Sequence, residues 1–181
     1  MRYLLLIMFL TGLFSTADAQ KYITRDGYIS FFSSTPLEDI KADNNQVASV
    51  LDMSTGDIAF QVLITSFRFE KALMQQHFND SYMESDKFPR STFTGKITNI
   101  SSIDLKTNGT YNVTVEGELT MRDVTKKVSS RGTIEVASGS LTAESKFNVS
   151  PEEYGVKIPA VVRNNIAKII EVTVRMRYAL Q

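Results

Sequence analysis

The chain has no cysteine, no tryptophan and a single histidine, His77. Without cysteine there is no disulfide staple, no thiolate nucleophile and no zinc site built on sulfur, so the fold must rest on its hydrophobic core. A lone histidine needs partners to act as a general base or metal ligand, and the carboxylates near it in sequence are only Asp80, Glu84 and Asp86. No Gly-x-Ser-x-Gly elbow, Gly-x-Gly-x-x-Gly turn or Walker-type loop occurs, and the nine glycines are scattered. Asp43-Asn44-Asn45 lacks the spacing of a calcium loop. Twenty basic and twenty acidic residues cancel and are interspersed, leaving no basic stripe to neutralise phosphates, so nucleic acid is not an expected partner. These absences predict no catalytic residue, no metal site and no cofactor.

Long apolar runs are missing too. The only one is Tyr3 to Phe14, about 12 residues, short of the roughly 20 needed to cross a bilayer as a helix. It follows Met1-Arg2 and ends in Ser15-Thr16-Ala17-Asp18-Ala19, the charged start, greasy middle and small-residue exit of a secretory signal. Residues 1–19 are therefore expected to be a signal peptide cleaved after Ala19, with no membrane span left afterwards and a periplasmic or secreted location. The remainder, 20–181, suits one domain with one core.

What the remainder does contain is period-two alternation, which puts alternate side chains on opposite faces of a strand. Ile58, Phe60, Val62 and Ile64 share one face, and so do Tyr111, Val113, Val115, Leu119 and Met121, with Gly117 marking a bulge or a close backbone approach. Further runs are 28–34, 46–52, 91–100, 126–136, 141–149 and 169–180, separated by turn residues such as Asn108-Gly109 and Ser138-Gly139-Ser140. About eight short strands without a βαβ rhythm predict an all-β antiparallel sandwich or barrel.

One helix is expected between the strand ending near Thr65 and the one starting near Ser91, from the helix formers Glu70 to Gln76, with an apolar stripe of Phe69, Leu73, Met74 and Phe78. A second short helix is allowed at Ser150-Pro151-Glu152-Glu153, where Ser150 would be the N-cap and Glu153 would complete a capping box. Eleven Phe, seven Tyr and seven Met exceed what the available chemistry needs. An eight-stranded barrel either packs its interior with side chains or holds one small ligand there, with the helix stripe at the mouth.

Two segments carry a family resemblance. His77-Phe78-Asn79-Asp80-Ser81-Tyr82, running on to Phe88-Pro89-Arg90-Ser91-Thr92-Phe93, resembles the helix and following strand of the YceI-like family. Gly117-Glu118-Leu119-Thr120-Met121-Arg122-Asp123-Val124-Thr125-Lys126-Lys127-Val128 resembles that family's Gly-x-Leu-Thr-x-x-Gly-Val-Thr-Lys-x-Val hairpin. Asp123 stands where the family usually has Gly, and Tyr22 to Phe31 departs from its common first strand. The resemblance implies a lipocalin-like antiparallel barrel of about eight strands with a helix near its mouth, exported to the periplasm, with a polyisoprenoid held in the central tunnel.

The expected function is thus an exported binding protein, not an enzyme, that sequesters or carries a long-chain isoprenoid or other lipid. Burial of each CH₂ gains about 0.8 kcal/mol, so a long tail binds with few polar contacts and needs no motif. The expected apolar lining is Phe60, Val62, Phe69, Leu73, Phe93, Val113, Val115 and Met121, with headgroup contacts from Lys87, Arg90 or Lys126. Two alternatives stay open: an interaction or stress-response module with a filled core, and a lipid-acting enzyme with His77 as base. Closure of the barrel removes the need for strand-to-strand pairing, and a homodimer also stays open.

Overall fold

A computed structural model describes residues 20–180; the expected signal segment lies outside the described residues. The strands are β1 (Lys21–Ser34), β2 (Asp39–Asp52), β3 (Asp57–Leu63), β4 (Arg68–Phe69), β5 (Arg90–Ile97), β6 (Gly109–Met121), β7 (Val124–Ala137), β8 (Ser140–Val149) and β9 (Ile170–Leu180). Eight of them close an antiparallel barrel in the order β1-β9-β8-β7-β6-β5-β3-β2, with β2 returning to pair with β1. The two-residue β4 adds to one end of β2, Phe69 opposite Ala42.

Alternation explains the walls. On β9, Met176 and Tyr178 are buried while Arg175 and Arg177 are exposed. The outer face is laced across the β8/β9 pair by Arg175–Glu144 at 2.6 Å and Lys146–Glu171 at 2.8 Å. The first two strands are far longer than the clean alternation indicated, because it breaks within each of them. In β1 the register with β2 shifts on either side of Gly27, and a Cβ there would sit 2.2 Å from the Met176 sulfur. In β2 one of the fully buried residues is polar, Asn44, whose amide donates to the Leu63 carbonyl at 3.0 Å.

One end of the barrel is packed shut. Leu51, Ile97, Ile134, Leu141 and Met176 are all below 2% exposed. Tyr178 donates to Ser49 Oγ at 2.7 Å, and Ser49 donates in turn to the Ala59 carbonyl at 2.9 Å. Burial pushes the Tyr178 phenol well above its usual range. Gly117 forms a close approach and no bulge: it sits in regular register opposite Gly95. A Cβ on it would meet the Thr94 carbonyl oxygen at 2.4 Å and Phe93 Cζ at 2.6 Å. The paired glycines let the Phe93 ring lie against the wall.

The other end carries the β1–β2 turn, the β3–β5 connection, the tight β6–β7 turn and the β8–β9 connection. The β3–β5 connection holds the one α-helix among the described residues, α1 (Ala72–His77), which continues through a π-type turn (Phe78–Tyr82). The second helix allowed at Ser150 is only a 3₁₀ turn, Pro151–Tyr154, and Ser150 makes no side-chain cap. Gly155 ends it at φ 73°, a left-handed stop that leaves no room for a longer helix. Asp123 takes the turn conformation expected of it, φ 59°, and Arg122 precedes it at φ 48°, the pair of positive values that a two-residue hairpin of matching twist requires.

Candidate ligand-binding site

A cavity of about 200 Å³ occupies the end of the barrel with the long connections, against the roughly 10–15 Å³ that a single water needs on such a measure. Ile29, Phe31 and Ser33 of β1 face Leu119 and Met121 of β6 and Phe147 and Val149 of β8 across it. Val62 and Ser91, opposite each other in the β3/β5 pair, supply another wall. The remaining surface comes from the connections: Phe67, Phe69, Met74, Phe78 and Met83 on one side, Val156, Ile158 and Ile166 on the other. No lining side chain is charged, and only Ser33, Ser91 and Tyr82 bring a hydroxyl.

Four rings form the cavity's aromatic flank. Phe31, Phe67, Phe69 and Phe78 make five mutual contacts with centroids between 5.0 and 5.7 Å, tilted or edge-on as ring quadrupoles favour. The helix delivers Phe78 there through simple spacing. Met74 and Phe78, four apart, face inward, whereas Leu73 and His77, also four apart, lie on the exposed side.

Both connections over the mouth are tied down. Glu38 in the β1–β2 turn accepts from Asn165 Nδ2 at 3.1 Å and from Lys71 at 3.0 Å, so one carboxylate joins the turn, the β8–β9 connection and the residue preceding α1. Those hydrogen bonds, Asn165's first, hold it below the usual carboxylate range. Ser33 Oγ accepts the Ala167 amide at 2.8 Å. The wall itself is incomplete: β7 pairs with β8 only from Gly132 to Ala137, while 124–131 pair with β6 alone. A seam therefore runs from the mouth down to Ser130 and Ser145, whose hydroxyls lie 2.6 Å apart.

The sequence matches the YceI-like domain over residues 21–178. The chain belongs to the YceI-like family. No curated protein matches it by sequence. In fold, this YceI-like chain is similar to a polyisoprenoid-binding domain from Saccharophagus degradans implicated in plant cell wall breakdown. The TM-score is 0.78 at 12% identity, over 90% of this chain and 99% of that one. It is also similar to BcnA of Burkholderia cenocepacia, with a TM-score of 0.69 at 13% identity, over 84% and 96% of the two chains. The YCEI protein of Campylobacter jejuni superposes with a TM-score of 0.59 at 15% identity, over 77% and 84%.

Within this YceI-like barrel the residues expected from sequence fall in three places. Val62, Phe69 and Met121 line the cavity. Phe60 and Phe93 pair across β3/β5 with centroids 5.8 Å apart, and with Val115 they pack, partly buried, against the core that contains Val113. Leu73 is 63% exposed. Lys87, Arg90 and Lys126 are exposed at the mouth end, Lys87 with its ammonium 4.8 Å from the Phe88 ring centre. Lys126, opposite Leu119, stands on the stretch of β7 that borders the seam.

Sequence reasoning missed Arg122 and the β8–β9 wall. Arg122 donates to the Tyr82 carbonyl and to the Glu84 carboxylate, and its guanidinium lies 5.3 Å from the Phe88 ring centre. It clamps the segment following α1 to the β6–β7 turn. The buried alternation of Tyr154, Val156 and Ile158 was the available signal for the other wall.

Proposed function

We propose that this protein is an exported carrier or sequestering protein for a molecule with a long apolar chain, a polyisoprenoid or another lipid, held in the cavity at the barrel mouth. The observation that carries this reading is the cavity wall, apolar apart from the hydroxyls of Ser33, Ser91 and Tyr82 and free of charged side chains. Each CH₂ moved from water to such a wall gains about 0.8 kcal/mol, so ten or so carbons supply micromolar affinity without a charged anchor. Membership of the YceI-like family and the fold shared with a polyisoprenoid-binding domain support it.

In this reading Val62, Phe69 and Met121 touch the chain, and Phe60, Phe93, Val113 and Val115 form the floor that limits its depth. Leu73, Lys87, Arg90 and Lys126 meet whatever part of the ligand stays outside. No residue acts as a catalyst, and the work is done in the periplasm or outside the cell after loss of residues 1–19.

The test is native mass spectrometry of the protein purified from its own exported fraction, followed by organic extraction. A stoichiometric apolar adduct on a chain beginning at Gln20 is the expected result. An adduct-free mass, unchanged after incubation with isoprenoid and fatty-acid pools, would overturn ligand carriage.

A further inference from the structure

Ser91 is the second residue of β5 and one of the cavity's lining residues, opposite Val62. Its residue exposure is 6%. Among the described residues its Oγ is the one buried hydroxyl with no hydrogen-bond partner. The contrast with Ser33 is direct, since that hydroxyl already accepts the Ala167 amide. The inward positions of β5 run Ser91, Phe93, Gly95, Ile97. A wall that only had to exclude water would carry an apolar side chain at the first of them, because a desolvated hydroxyl without a partner destabilises the fold. Buried polar groups are as a rule paired, and Ser91 stands in the cavity wall, where a ligand group can supply the missing partner.

The chemistry of that partner is narrowed by what surrounds it. No cation lines the cavity, so an ionised phosphate or carboxylate beside Ser91 would be buried without compensation. A hydroxyl can donate one hydrogen bond and accept others, which suits an alcohol, carbonyl or ether oxygen equally. We infer that Ser91 is the polar anchor of the cavity: its hydroxyl hydrogen-bonds an uncharged oxygen on the ligand. The site thereby favours an apolar chain bearing such an oxygen over a bare hydrocarbon and over the same chain with an ionised head. This inference rests on the carrier reading above and adds a selectivity to it.

Displacement of the neutral fluorophore N-phenyl-1-naphthylamine from the cavity separates the cases, with farnesol, farnesene and farnesyl phosphate as competitors. The protein is expected to prefer farnesol to farnesene by about tenfold or more, the discrimination that a site loses when its polar group is left unpaired, and to prefer farnesol to farnesyl phosphate. In Ser91→Ala the farnesol-to-farnesene ratio falls to about one, while Ser91→Thr, which keeps the hydroxyl, retains the preference. Near-ultraviolet circular dichroism of the tyrosines checks that each variant is folded.

A ratio unchanged in Ser91→Ala overturns the assignment. Tighter binding of farnesyl phosphate than farnesol, lost in Arg90→Gln or Lys126→Gln, also overturns it, in favour of a charged head at the rim. Failure of the fluorophore and all three competitors to bind removes the carrier reading itself and the anchor with it. Displacement by all three with equal affinity removes the anchor alone.

Discussion

The hydroxyl of Tyr178 lies 2.7 Å from that of Ser49, a contact between β9 and β2 across the packed end of the barrel. Ser49 passes its own proton to the Ala59 carbonyl, so the order of donation is fixed and the two deletions are unequal. Tyr178→Phe removes a donor and leaves Ser49 paired, at about 1 kcal/mol. Ser49→Ala strands a buried phenol and is expected to cost more, about 1–3 kcal/mol. Urea melts of both variants and the double mutant give the comparison.

The same phenol sets an alkaline limit. Burial raises the folded-state pKa of Tyr178, whereas an unfolded tyrosine titrates near 10. Above about pH 10 the unfolded chain releases a proton that the folded chain keeps, so this contribution to stability is complete below that pH and is lost as pH rises beyond it. Tyr82 and Tyr154 are raised by burial as well. Stability of Tyr178→Phe should therefore fall less steeply than that of the parent between about pH 9 and 11, and equal slopes would refute the assignment.

Glu38 sets a local limit on the acid side. Its pKa is lowered by Asn165 and Lys71, so the tie it makes is fully present above the unfolded glutamate value of about 4.3 and is lost as pH falls through the lower folded value. Amide exchange around Asn165 and at the start of α1 should quicken on acidification before the barrel strands respond. Glu38→Ala should show that faster exchange at neutral pH, with little change in global stability, as befits an exposed pair.

Arg122 combines a strained backbone with a buried guanidinium. At φ 48° a glycine would relieve the left-handed strain that an alanine retains. Both substitutions lose the hydrogen bonds to Tyr82 and Glu84, so Arg122→Ala should be the more destabilising, with Arg122→Gly milder by about 1 kcal/mol. Asp123→Gly, at φ 59°, should be stabilising by a few tenths to about 1 kcal/mol. Thermal melts rank the three, and exchange across 82–88 reports whether the clamp has opened.

Gly95→Ala and Gly117→Ala should each destabilise by about 1–3 kcal/mol through overpacking. The added Cβ would lie 2.5 Å from the Glu116 carbonyl oxygen in the first case and 2.4 Å from that of Thr94 in the second. Because the backbone is the obstacle as well as the Phe93 ring, Phe93→Leu should restore only part of the loss. Full restoration in the double variants would place the whole clash on the ring.

The barrel was legible because its strands alternate over long stretches, β6 through Val113 and Val115 and β9 through Val172 and Met176 being the clearest. Where alternation broke, so did the reading: β1 and β2 were halved, since the Gly27 irregularity and buried Asn44 put the wrong residue types at the expected parity. The cavity was harder. Sequence parity tells which side chains point inward, but not how deep along the barrel each one lies. Phe60 and Val62 share a face and both pack with the core, yet Val62 lines the cavity and Phe60 does not. The β8–β9 connection contributes Val156, Ile158 and Ile166 from a segment with no strand partner, so the brief alternation of Tyr154, Val156 and Ile158 had no paired ladder to mark it as wall.

Pairing of Tyr22 with Leu180 puts the first and last described strand ends side by side at the packed end of the barrel, a full strand length from the cavity. Anything joined at either place, an affinity tag, a fluorescent protein or a surface linker, would hold the molecule by its base with the mouth turned away from the attachment. Immobilised through either end, the protein would still present its cavity to the surrounding solution.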